Sequence, residues 1–159
     1  MSWPKPRLFA LHCTRQGLGF VIFEGETIFD WGTVTARGDK NAMSVRKLAR
    51  LLDRFSPEEL VLESASGAGR ADRIVHLHAA IATLCRARNI DVTQYSRADI
   101  QHRFRRLGAS TRQEIAEAVA QELDVLSPRL PHPRKPWHNE SRRMAIFSAA
   151  AVALTHLNA

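Results

Sequence analysis

The sequence predicts an α/β domain built on a five-stranded mixed sheet with helices on both faces. Three observations predict it. The stretch from Leu8 to Phe23 reads as a hairpin with a buried first strand and a nearly all-apolar second, as a strand covered on both faces is. After it, short apolar runs alternate with longer segments of helical period. The 159 residues are one domain by length, and 45% of them are hydrophobic, enough to fill a core on each side of a sheet.

Gly17 and Gly25 divide the first segment into three strands, Leu8–His12, Leu18–Phe23 and Thr27–Ala36. The third alternates Ile28, Asp30, Gly32 and Val34 against Phe29, Trp31 and Thr33. After a loop at Gly38–Asn41, Val45, Leu48, Leu51, Leu52 and Phe55 share one helix face. Ser56-Pro57-Glu58-Glu59 carries the residues of a capped helical turn, and Leu60–Ser64 follows as a short buried strand. Ser66–Gly69 is a flexible loop. A helix from Arg70 to Arg88 has Ile74, Leu77, Ile81 and Leu84 as its stripe, and Ile90–Tyr95 is the fifth strand.

Ser96 caps a short basic helix through Arg106, and Gly108-Ala109-Ser110 breaks it. Thr111-Arg112-Gln113-Glu114 is a capping box opening a helix to about Leu123. Residues 128–136, Pro128 to Pro136, form a stiff basic linker. The last helix runs from about Asn139 to Leu157, and its many alanines suit close packing. Residues 1–159 thus make a single domain. Its first three strands are antiparallel and its later ones parallel.

Basic residues outnumber acidic ones 23 to 16, and only Lys5, Lys40, Lys47 and Lys135 are lysines. Guanidinium forks pair with phosphate and stack on bases, so the surplus favours a polyanion partner. The competing source is an Arg-rich proteome. No apolar run approaches the ~18 residues of a membrane span, and the first residues lack a signal peptide's apolar core. A cytoplasmic protein with no membrane association is expected. Cys13 and Cys85 have no CxxC spacing and read as reduced structural residues.

Glu63 ends an apolar strand directly before a small-residue loop. The carboxyl ends of parallel strands are where α/β folds place their sites, and a carboxylate there suits Mg²⁺. Its other reading is an ion pair with Arg70 or Arg73. Basic groups gather around this position: Arg70 and Arg73 beside the glycine loop, and Arg103, Arg105 and Arg106 before Gly108. Arg112 stands at a helix start where backbone N–H groups also meet phosphate. Arg134-Lys135 and Arg142-Arg143 flank Trp137. Trp137 and Phe104 either stack on exposed bases or pack in the protein.

Four stretches carry a family resemblance: Ala10–Arg15 with Gly19-Phe20, Leu60–Glu63, Gly108–Arg112 opening a helix, and Arg143–His156. In order and spacing they resemble the RuvC-like Holliday junction resolvases of the RNase H-like superfamily, over almost the whole chain from Leu8 to His156. The resemblance implies an RNase H-like fold and a two-metal nuclease. Carboxylates from the first strand, the fourth strand and the last helix hold the ions. Glu63 matches the fourth-strand acid. The first-strand acid is His12 here, the last-helix acid is Ser148, and the Lys that follows the glycine turn is Arg112.

Two neutral residues thus stand where the family's chemistry needs anionic oxygens. A histidine binds Mn²⁺ or later metals but is a poor Mg²⁺ ligand. Glu140, at i−8 from Ser148, offers a replacement carboxylate on the same helix face; its other reading is a helix-start charge. His12 also reads as a strand-end residue bonded to Glu63, or, with Glu63, as a metal-free general base.

The expected function is DNA binding of resolvase type, on branched or structured DNA, with metal-dependent cleavage weak or lost. The expected contacts are Arg15, Arg70, Arg73, Arg105, Arg106, Arg112, Arg142 and Arg143. A second reading is an active endodeoxyribonuclease in which His12, Glu63 and Glu140 hold Mg²⁺ or Mn²⁺, with Ser148 beside them. A third is a non-catalytic subunit that forms a homodimer or pairs with an intact paralogue, because the resemblance implies dimers.

Overall fold

A computed structural model describes residues 5–65, 72–135 and 141–158. Its five strands lie in the order β3-β2-β1-β4-β5. The central strand β1 (Arg7–Cys13) pairs antiparallel with β2 (Gly17–Glu24) and parallel with β4 (Glu59–Glu63). Outside them, β3 (Thr27–Thr35) is antiparallel to β2, and β5 (Asp91–Tyr95) is parallel to β4. This is the mixed α/β sheet that the sequence predicts.

The period of two along β1 divides the core. Phe9 and Leu11, with Phe20, Ile22, Leu60 and Leu62, pack with the buried faces of α1 (Lys40–Phe55) and α2 (Asp72–Ala87). Leu8 and Ala10, with Val21, Phe23 and Val61, pack with α3 (Arg97–Arg105), α4 (Arg112–Glu122) and α5 (Met144–Leu157). His12 continues the Leu8–Ala10 phase and Glu63 the Val61 phase, so both belong to the α5 side. Leu11 pairs with Leu62, which sets His12 and Glu63 level at the carboxyl ends of neighbouring parallel strands.

Eleven of the fourteen residues of α5 are buried, as in a helix that is apolar all round. Its small residues bring it against the sheet. A Cβ built on Gly19 falls 2.4 Å from Ala145 Cβ and 2.5 Å from its carbonyl carbon. Only glycine fits between β2 and the first turn of α5.

Some boundaries differ from expectation. Ser56 starts no helix: it closes α1 at φ 47, and its N–H donates to Leu52 O at 2.9 Å. Glu58 then exchanges sheet-like bonds, its N–H to Arg7 O at 3.1 Å and its carbonyl from Asp91 N at 3.2 Å. Strand pairing outweighs the local Ser-Pro-Glu signal there. The helix expected from Arg70 begins at Asp72 among the described residues.

α5 begins at Met144, after a turn at Arg142–Arg143, rather than at Asn139. Glu140 lies outside the described residues. Pro128 sits inside a 3-10 helix, Asp124–Arg129, that buries Leu126, so the irregular stretch begins only at Leu130. Among the described residues, no helix is long and apolar enough to cross a membrane.

Candidate nucleic-acid interface

Arg112 is the first residue of α4, and a reciprocal capping box fixes its position. Thr111 Oγ1 accepts from Glu114 N at 3.1 Å, and Glu114 Oε1 accepts from the N–H groups of Thr111 and Ser110 at 3.0 and 3.1 Å. Those backbone bonds, with the Ser110 and Thr111 side chains, hold the Glu114 carboxyl down to about 2. The clamp turns the Arg112 side chain toward the ends of β1 and α5.

There, one nitrogen of Arg112 joins two sequence-predicted residues. Nη2 lies 2.9 Å from His12 Nε2 and donates to Ser148 Oγ at 3.1 Å. A guanidinium only donates, so this contact has His12 Nε2 as the acceptor. Both hydrogens of Nη2 are thereby used. His12 and Glu63 are almost fully buried, at 8% and 7% exposure. Glu63 Oε1 stands 3.8 Å from Arg97 Nη1, a half-exposed partner on the first turn of α3. Glu63, Arg97, Arg112, Met144, Phe147 and Ser148 line one shallow pocket. Among the described residues, no three His, Cys, Asp or Glu side chains gather as a metal-holding group.

The other basic residues spread more widely than expected. Arg73 is committed to structure: it donates to Asn41 Oδ1 at 3.0 Å and to Thr14 O at 3.1 Å, tying α2 to α1 and to the β1–β2 turn. Arg142 donates to Gln16 Oε1 at 2.9 Å and to Thr35 Oγ1 at 3.2 Å, beside the same turn. Arg15 and Arg143 are exposed. Arg105 and Arg106 are exposed at the far end of α3, about 12 Å along the helix from Arg97. Arg103 pairs with Glu122 at 2.8 Å. Phe104 is fully buried, which rules out the base-stacking reading. Arg70, Trp137 and Glu140 lie outside the described residues.

Sequence reasoning missed two features. Arg97 enters the pocket because it follows the carboxyl end of β5, the parallel neighbour of β4; that position was the available signal. At the other end of α5, His156 bridges Tyr95 and Glu59. Tyr95 Oη lies 2.8 Å from Nδ1, and Nε2 lies 2.9 Å from Glu59 Oε2. Burial, and then the charges of Glu59 and Asp99, push the Tyr95 hydroxyl up.

No family model matches the chain, and no curated protein matches it in sequence. Solved structures match it in shape. RuvC of Thermus thermophilus in complex with a Holliday junction substrate superposes with a TM-score of 0.67 at 17% identity, covering 95% of this chain and 92% of that one. A second Thermus thermophilus RuvC structure gives 0.68 at 17% identity, covering 94% and 92%. The Fowlpox virus resolvase, in complex with its Holliday junction DNA, gives 0.57 at 13% identity, covering 95% and 98%. The chain therefore has an RNase H-like fold of the kind these resolvases share.

Proposed function

We propose that this protein binds branched or structured DNA at the pocket around Arg112, and that its metal-dependent cleavage is weak or lost. The observation that carries this reading is the single Arg112 nitrogen bonded to both His12 and Ser148. These two residues occupy the positions at which the resemblance places metal-holding acids. A protein cation stands between them.

The donor set does not fit two divalent cations. Among the described residues it offers one carboxylate, Glu63, with an imidazole and a hydroxyl. A further cation 4 Å from a guanidinium is opposed by about 4 kcal/mol per unit charge at an effective dielectric of 20. The same guanidinium suits a phosphate, which needs no metal to be held. Junction DNA is the first ligand to test, because the RuvC and Fowlpox neighbours were solved with it.

The test is equilibrium binding to a four-way junction, a linear duplex and a single strand across a salt series. The reading predicts tightest binding to the junction and a steep fall with salt. Equal, weak, salt-independent binding to all three contradicts it.

A further inference from the structure

The helices on the two faces of the sheet carry different charge. α1 and α2, with Arg88 just after α2, hold eight Lys and Arg against two Asp, a surplus of six. α3, α4 and α5, with Arg106 at the end of α3, hold five against four, a surplus of one. Most of the helical charge surplus therefore lies on the face away from Arg112.

That surplus is ordered along α1. Arg46, Arg50 and Arg54 recur at i, i+4 and i+8, are all exposed, and form one row about 12 Å long. The row lies two residues out of phase with buried Leu48 and Leu52, on the far side of the helix. Neither Arg46 nor Arg50 pairs with an acid among the described residues. The only acid on α1, Asp53, bonds Arg88 through both oxygens, at 2.9 and 3.4 Å. Like charges at this spacing weaken a helix, so the row is no device for folding it.

We propose that this face of α1 is a second nucleic-acid surface, which holds the phosphate backbone of a duplex arm through Arg46, Arg50 and Arg54. It rests on the DNA-binding reading above and extends it to a surface separate from the Arg112 pocket. The start of α1 touches the site end of the sheet, since Lys40 Nζ donates to Arg15 O at 2.9 Å. In this proposal an arm leaving the pocket past Arg15 continues along the row. Duplex DNA is favoured over an anionic membrane because the cations are guanidinium forks, and no large hydrophobic residue of α1 is exposed to enter lipid.

The experiment measures junction binding by the full chain across salt, for the wild type and for a triple variant, Arg46→Gln, Arg50→Gln and Arg54→Gln. The expected result is at least a tenfold loss of affinity and a log–log salt slope smaller by about 2.7, at ~0.9 per phosphate contact. The corresponding triple Lys variant keeps the wild-type slope. Wild-type binding with an unchanged slope in the Gln variant overturns this surface and leaves the pocket reading standing. Absence of wild-type binding to any DNA overturns both. A Gln effect seen only on phosphatidylserine vesicles identifies a membrane surface instead and also overturns the proposal.

Discussion

Arg112 and His12 stand 100 residues apart in sequence, and Nη2 of the first lies 2.9 Å from Nε2 of the second. The contact joins the start of α4 to the end of the central strand. It puts a permanent positive charge at a strand end that α/β folds reserve for function. It also makes Nε2 of the histidine the acceptor.

Replacing Arg112 tests that charge. Arg112→Ala removes the shared donor of His12 and Ser148 and the proposed phosphate contact together. Junction affinity, read by fluorescence anisotropy, is expected to fall about ten- to a hundredfold, in line with the 1.5–3 kcal/mol of a hydrogen bond to a charged group. Arg112→Lys keeps the charge without the fork and should fall between. Wild-type affinity in the alanine variant contradicts the assignment.

Gly19 is opposite His12 in the β1–β2 ladder and beneath the first turn of α5. Gly19→Ala drives a methyl group into the Ala145 backbone. We expect a loss of about 1–3 kcal/mol in urea unfolding, the range for overpacking. Junction affinity should fall with it, because Ser148 moves with α5. An unchanged unfolding midpoint contradicts the close approach.

The capping box predicts an acid-sensitive stabilisation. Glu114 is held at about 2 against 4.5 in the free side chain, so its folded pKa is depressed. Its contribution is complete above pH 4.5 and is lost as pH falls from there toward 2. The melting-temperature gap between the wild type and Glu114→Gln should be constant near neutrality and close over that window. A gap that widens on acidification contradicts the sign.

Cys85 is fully buried, and burial pushes its thiol up to about 11. In a Cys13→Ser variant, a thiol reagent at about pH 8 should label Cys85 only as the protein unfolds. Fast labelling of the native variant contradicts this packing.

Much of the fold is legible in the sequence because its signals are local. Glycine spacing marks the hairpin, the stripe Leu48, Leu52 and Phe55 marks α1, and Ser96 and Thr111 cap the next helices as expected, Thr111 within its capping box. The misread elements are those that distant pairing decides. Ser56 reads as a helix start until Glu58 pairs with Arg7 and Asp91.

In the candidate site, Glu63 is legible from its strand end and Arg112 from its helix start, while His12 and Ser148 are marked out by the resemblance. Arg97 offers only its place after a strand as a signal, because its approach to Glu63 depends on β5 lying beside β4. The i, i+4 row on α1 was not among the expected contacts. Its meaning depends on the charge of the opposite face, which only the fold reveals.

The most direct test of the central claim is incubation of the protein with a labelled four-way junction and either Mg²⁺ or Mn²⁺, alongside Glu63→Ala. If Arg112 fills the site, the junction is bound and stays almost wholly intact with both metals, and Glu63→Ala changes the products little. Efficient cleavage by the wild type that disappears in Glu63→Ala would contradict the account.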